Sequence, residues 1–151
     1  MLYRILLFGH VLFVIFWFGG GVMFQIRAEM ASASFNEDAV RSIVSDGDRL
    51  GKAFFPAVSV LVLLTGVALV LVGKLGFNRI FVIGGLVGWV ISSLIGAKGI
   101  GPNVARIKRG LAVPDGEAEA VEGLKRLRNV GRVDVAIMTA VVFLMTVKPG
   151  R

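Results

Sequence analysis

The sequence predicts an all-α, membrane-embedded protein, an antiparallel four-helix bundle with short cytoplasmic amphipathic helices. Hydrophobic residues make up 56% of the 151 residues, and they are concentrated in four apolar stretches. A bilayer core about 30 Å thick needs about 20 apolar residues in each spanning helix. The stretches lie at about 2–24, 53–73, 78–97 and 130–147. These lengths predict four spans in a single domain, 1–151, because up-and-down helices with polar connections form such bundles.

The distribution of charge predicts the orientation and the main partner. The net charge is +7, and the basic residues flank the apolar stretches. This arrangement favours a positive-inside membrane topology over binding of nucleic acid. The two long connections carry more lysine and arginine than the termini and the short connection, so we expect both termini outside the cytoplasm of a bacterial inner membrane. The lipid bilayer is the predicted partner. The chain has no cysteine, which excludes disulfides, zinc–thiolate sites and cysteine nucleophiles.

The first long connection carries the pattern of an amphipathic helix. Asn36 is a good N-cap and is followed by two acidic residues, which suit the positive end of a helix dipole. Apolar residues then recur at helical spacing, at Val40, Ile43, Val44 and Leu50. The pattern predicts a short helix on the cytoplasmic face of the membrane.

The second long connection predicts a break followed by another helix. Gly101-Pro102 predicts a break or kink at the end of span three. Pro114 suits the first turn of a new helix, which has acidic residues near its start. Its apolar edge is formed by Val121, Leu124 and Leu127. This helix is expected to be able to run directly into span four.

Span three carries a row of small residues four positions apart. The row consists of Gly84, Gly88, Ser92 and Gly96. Such rows allow helix backbones to approach closely in lipid, where no hydrophobic effect drives helices together. The row therefore predicts a packing face. Its partner is either a helix of the same chain or, in a homo-oligomer or larger membrane complex, a helix of another chain.

His10, the only histidine, is the main candidate for a functional residue. It lies within span one, where ionisable groups usually face the protein interior or water. Trp17 lies two turns deeper on the same helix face. Counting about 1.5 Å per residue from the outer surface places Thr65 and Trp89 level with His10, and Met145 nearer the surface.

Two interpretations of His10 remain open from the residues alone. In one, His10 binds haem or a metal or relays protons beside the aromatic wall of Trp17 and Trp89, with Met145 as a soft ligand for copper. In the other, His10 is a neutral side chain hydrogen-bonded to a neighbouring hydroxyl or carbonyl, for which Thr65 is the best-placed partner.

Asp134 is the second charged candidate inside an apolar stretch. It lies near the cytoplasmic end of span four, two residues after Arg132. We expect a surface-level ion pair between this carboxylate and the arginines of the long connections. Its predicted depth is too far from His10 for the two residues to share a site.

Short motifs resemble a group of known membrane proteins. They are Gly9-His10-Val11, Phe16-Trp17-Phe18-Gly19-Gly20, Gly88-Trp89 and Leu144-Met145-Thr146-Val147-Lys148-Pro149. The chain resembles a small four-helix bacterial integral membrane family of unknown function, which is distantly similar to the CopD copper-resistance membrane domain and to HemJ-type protoporphyrinogen oxidases. The resemblance implies four spans and a haem or copper site. Only His10 carries over, since Val87 stands where HemJ-type proteins have a histidine before Gly-Trp.

The sequence predicts a non-catalytic or accessory four-helix membrane subunit, because no hydrolase elbow, phosphate-binding loop or paired-carboxylate motif is present. The alternative is a haem- or copper-binding protein that uses His10. A small transporter is disfavoured, since the spans of one copy hold too few polar residues to line a pathway.

Overall fold

The computed structural model describes residues 1–33 and 36–148, and within them it is all-α. The helices are α1 (Leu2–Ala33), α2 (Glu37–Arg49), α3 (Phe55–Val72), α4 (Ile80–Ile95), α5 (Gly101–Gly110) and α6 (Glu117–Val147). Four helical segments are long and apolar enough to cross a membrane. The predicted all-α bundle is confirmed, and the chain has the architecture of a multi-pass membrane protein.

Two π-helical turns join helices that the sequence suggests are separate. Leu50–Phe54 joins α2 to α3, and Gly96–Ile100 joins α4 to α5. The resulting helical segments run without interruption over Glu37–Val72 and Ile80–Gly110. Of the break or kink predicted at Gly101-Pro102, the break is excluded, because the chain stays helical through this position.

A proline follows each π-helical turn and explains its presence. Pro56 and Pro102 each lie two residues beyond the end of the turn. A proline inside a helix lacks the N–H donor, and its ring clashes with the carbonyl four residues earlier. That carbonyl belongs to Lys52 or Lys98, inside the turn in both cases. The wider π-helical turn relieves the clash, so the helix continues.

The order of packing leaves one side of the bundle loosely closed. Helix α1 packs against α3 and α6, and α6 also packs against α4. Contact between α3 and α4 is slight, although these helices are consecutive in the chain. The bundle is therefore a ring with a weak seam between α3 and α4.

The end of the bundle that carries α2 and α5 has its own hydrophobic core, and we call it the polar end. Its largest fully buried side chains come from α2, α5 and α6, and they are Val40, Ile43, Ile107, Leu124 and Leu127. The Asn36 side chain accepts hydrogen bonds from the N–H groups of Asp38 and Ala39, as the N-cap prediction requires. The amphipathic helix predicted in the first connection is confirmed.

Helix α6 begins later than the position of Pro114 suggests. Its first residue is Glu117, and Pro114 lies in the turn before it. The backbones of Gly110 and Gly116 cross in contact, and a Cβ atom on Gly116 would overlap the Gly110 carbonyl. This close crossing holds residues 111–116 in a tight turn, so the first helical turn starts beyond it. Helix α6 then runs directly into the fourth span, as predicted.

Candidate functional site: a cavity inside the bundle

A cavity of about 1000 Å³ lies among the helices at the level of the two π-helical turns. Its deep part is walled by large apolar side chains, which are Trp17, Phe55, Trp89 and Met138. Sites for small molecules in proteins are typically mostly apolar clefts of roughly 300–1000 Å³. The cavity therefore has the size and the walls of a ligand site.

Small residues and the seam between α3 and α4 create this space. Gly51, Gly96 and Ala97 line the cavity beside the π-helical turns, and a Cβ atom on Gly51 or Gly96 would meet no atom within 4 Å. Lining residues of α3 and α5 such as Pro56 and Ala105 are exposed at the bundle surface. The cavity therefore opens at the side of the bundle between these helices.

Two polar contacts bridge the seam and form the floor of the cavity. The Trp89 indole N–H donates to the Ser59 carbonyl at 3.0 Å. The hydroxyls of Ser59 and Ser93 lie 3.5 Å apart. The indole hydrogen bond fixes the Trp89 ring across the space between α3 and α4. The cavity extends from this floor toward the polar end.

Charged side chains line the mouth of the cavity and are paired with one another. Asp48 accepts a hydrogen bond from Lys108 at 2.7 Å and lies 3.5 Å from the Lys52 ammonium. Arg109 lies 3.7 Å from Glu119. The hydrogen bond from Lys108 lowers the pKa of Asp48 below its ordinary value, so this carboxylate stays ionised at neutral pH. Lys52, Lys108 and Arg109 therefore each have a carboxylate partner, which the two lysines share.

Asp134 lies inside the cavity and not at the surface. Its exposed fraction is 6%, and one carboxylate oxygen, Oδ1, has no hydrogen-bond partner among residues 1–33 and 36–148. Ser92 of α4 lies beside the carboxyl group. The predicted surface ion pair of Asp134 is wrong, because Glu29 of α1 is the carboxylate that pairs with Arg132, at 2.5 Å.

The rotation of α6 explains the environment of Asp134. Leu127, Gly131, Asp134 and Met138 recur every three or four residues and are all buried, whereas Arg132 is exposed. Residues at this spacing share one helix face. Since that face points into the bundle, Asp134 is carried inward by its apolar neighbours. Its position seven residues after the buried Leu127 is a sequence signal that identifies this inward face.

The hydrogen bond predicted between His10 and Thr65 is present. The His10 Nδ1 atom and the Thr65 hydroxyl lie 3.0 Å apart. The Thr65 hydroxyl also lies 2.6 Å from the Leu61 carbonyl, to which it donates its single proton. In the tautomer in which Thr65 accepts from Nδ1–H, the lone pair of the imidazole lies on Nε2. Gly66 leaves room for the ring, since its Cβ atom would lie 3.1 Å from the His10 Cε1 atom.

The residues predicted for a cofactor site occupy three separate places. His10 and Thr65 form a pair between α1 and α3, outside the cavity lining. Trp17 and Trp89 line the cavity. Met145 packs on Gly85 and against a cluster of buried residues at the other end of α4. Within the part of the chain that the structure describes, no three histidine or acidic side chains lie close enough to hold one metal ion.

The small residues of span three face α6 of the same chain for most of the row. A Cβ atom on Gly84 would lie 2.8 Å from the Leu144 side chain, and one on Gly88 would overlap Val141. Ser92 continues this face beside Asp134. Gly96 differs, because its missing side chain leaves open space in the cavity and not a helix contact.

Comparisons of the chain with family models, curated proteins and solved structures yield no match.

Proposed function

We propose that this chain is a non-enzymatic membrane protein whose bundle binds an amphipathic small molecule that enters from the bilayer. The observation that carries the proposal is the cavity of about 1000 Å³, walled by aromatic side chains and open at the seam between α3 and α4. In this proposal the protein lies in a bacterial inner membrane with both termini outside the cytoplasm, and it acts as a binding or accessory subunit.

Packing energetics support an occupied cavity. An empty apolar space loses the dispersion contacts that its walls would otherwise make, and its cost rises with its volume. In this cavity, small residues and π-helical turns stand where larger side chains and regular helix would fill the space. A flexible apolar molecule from the bilayer restores those contacts, and a side opening lets it enter without crossing water.

The chain offers an intrinsic reporter for this cavity. It contains two tryptophans, Trp17 and Trp89, and both line the cavity. Quenching of tryptophan fluorescence by a brominated alkyl probe therefore measures entry of the probe. We expect Gly96→Phe to weaken quenching by brominated dodecanol at least about tenfold in apparent affinity, because the new ring fills the open space beside Gly96.

A matched variant controls for the general effect of adding phenylalanine. A Cβ atom on Gly19 of α1 also meets no atom within 4 Å, and Gly19 is exposed and does not line the cavity. Gly19→Phe in the same detergent should quench like the wild type. Equal quenching in Gly96→Phe and wild type would place the probe on the outer surface and would remove the support for a ligand cavity.

A second candidate function follows from the geometry of His10. With Nδ1–H held by Thr65, the Nε2 lone pair is in the state that binds haem iron or copper. This is the chemistry that the resemblance to CopD and HemJ-type proteins implies.

The absorption spectrum and metal content of the protein purified in mild detergent test this second candidate. The haem or copper hypothesis predicts a Soret band or stoichiometric copper in the wild type, lost in His10→Ala. Thr65→Val, which removes the hydrogen bond but keeps the imidazole, should reduce the bound amount without abolishing it. A colourless, metal-free protein, prepared with haem and copper supplied during expression, would contradict it.

Assembly with other membrane proteins through span three is part of the proposal as well. The small-residue row of α4 is occupied by α6 of the same chain, so a partner would meet the other face of α4. That face carries large exposed apolar residues, which are Ile83, Val87, Val90 and Leu94. These residues also suit contact with lipid chains.

A further inference from the structure

We infer that the cavity binds an amphipathic organic cation, such as a long-chain amine, whose protonated nitrogen is held by the carboxylate of Asp134. This inference rests on the proposed ligand cavity and names the class of its ligand.

Asp134 is positioned to receive a ligand group. It lines the cavity from α6 at an exposed fraction of 6%, and its Oδ1 atom has no protein partner among the residues that the structure describes. Buried polar groups are nearly always hydrogen-bonded, and each exception calls for an explanation. Gln25 lines the same cavity, but its amide nitrogen already donates to Glu29 and to the Arg128 carbonyl. It therefore has no free N–H to donate to Asp134. A donor on the ligand supplies the missing bond.

The remaining charges of the cavity decide the sign of the ligand. Lys52 and Lys108 share Asp48, and Arg109 faces Glu119. Each of these cations therefore has a carboxylate partner, although Lys52 and Lys108 share the same one. Asp134 has no ion pair within residues 1–33 and 36–148. Among the charged lining residues that the structure describes, Asp134 is therefore the one without an ion-pair partner, and a cationic ligand pairs with it.

Aromatic rings and hydroxyls complete a site for a substituted ammonium group. The faces of tryptophan rings attract cations, most strongly where water is excluded. Trp17 and Trp89 line the same cavity as Asp134, and Ser92 and Ser93 provide hydroxyl oxygens beside it. The apolar walls around Phe55 and Met138 suit the alkyl chain of the ligand.

The test compares two brominated probes with the same alkyl chain. Brominated dodecylamine is protonated at neutral pH, whereas brominated dodecanol is neutral. Quenching of tryptophan fluorescence is measured for the wild type, Asp134→Asn and Asp38→Asn in a nonionic detergent. Asp134→Asn removes the buried charge with almost no change in shape. Asp38→Asn removes an exposed charge outside the cavity lining and controls for the overall charge of the protein.

In the wild type we expect the amine to bind at least about tenfold more tightly than the alcohol, since charge-assisted hydrogen bonds are worth that much. The preference should vanish in Asp134→Asn and persist in Asp38→Asn, while the alcohol binds all three proteins alike. Binding of the alcohol to Asp134→Asn shows that the cavity is intact in this variant.

The two proposals fail in different ways. If both probes bind the wild type equally, or if Asp134→Asn keeps the preference, the cation inference is overturned while the ligand cavity stands. If Asp38→Asn loses the preference to the same extent, the preference arises from the overall charge of the protein, and the inference is also overturned. If Gly96→Phe changes the quenching by neither probe, the ligand-cavity proposal and the cation inference are both overturned.

Discussion

Gly88→Leu should lower the free energy of unfolding by about 3 kcal/mol, because it forces apart two helices that touch through a glycine. A Cβ atom on Gly88 would already overlap the Val141 side chain of α6. Leucine adds further atoms at this point, and Val141 belongs to a helix whose position is fixed by α1 as well as by α4. The clash cannot be relieved by turning one flexible side chain, so α4 must shift.

Unfolding in mixed micelles of mild detergent and sodium dodecyl sulfate measures this effect. Gly19→Leu is the matched control, since it makes the same change at a lipid-facing position with no atom within 4 Å of the new Cβ. We expect the control to unfold like the wild type. If Gly88→Leu has the same free energy of unfolding as the wild type, α4 and α6 are not in close contact. This result would contradict the packing of the bundle.

Leu124→Ala should also cost about 3 kcal/mol, for a different physical reason. Leu124 of α6 is 2% exposed and lies in the core of the polar end, with buried residues of α2 and α5. Its truncation leaves a cavity among Val104, Ile107 and Leu127, which are themselves buried. Removing buried methyl groups loses both their transfer free energy and the contacts of the surrounding atoms.

Hydrogen exchange and equilibrium unfolding together test this prediction. Leu94→Ala is the control, because Leu94 is about half exposed on α4 and faces outward. We expect faster exchange throughout α2 and α5 in Leu124→Ala and little change in Leu94→Ala. If the amides of α2 exchange equally fast in the wild type and in Leu124→Ala, the polar end lacks the packed core described above.

The two substitutions probe two ways of holding helices together in one chain. At the polar end, outside the predicted spans, large aliphatic side chains pack around Ile43, Ile107 and Leu124, as in a water-soluble core. Between α4 and α6 the contact is made by Gly84, Gly88 and small-to-medium neighbours. Lipid chains are as apolar as leucine, so close backbone approach replaces hydrophobic burial there.

Much of the architecture follows from the sequence alone. Length and apolarity predict the four membrane-crossing helices, and the cap at Asn36 with the spacing of Val40, Ile43 and Val44 predicts α2. The pairing of His10 with Thr65 follows from counting residues inward from one membrane face. These features depend on local pattern and on helix rise, which the sequence carries directly.

The cavity could not be predicted, because its volume depends on where the packed helices leave space unfilled in three dimensions. Gly101-Pro102 predicts a break or kink, and only the three-dimensional structure shows the π-helical turn that relieves the proline clash. Asp134 could be assigned to the interior only by following the buried face of α6 from Leu127, whereas its proximity to Arg132 suggests an ion pair. The weak seam between α3 and α4 is a property of the assembled ring and of no single helix.

The comparison of Gly96→Phe with Gly19→Phe tests the central claim most directly. Both variants place a phenylalanine where a glycine leaves open space, but only Gly96 lies in the cavity. A ligand cavity predicts that brominated dodecanol quenches Trp17 and Trp89 in wild type and in Gly19→Phe, and at least about tenfold more weakly in Gly96→Phe. Quenching of the same strength in all three proteins would contradict it.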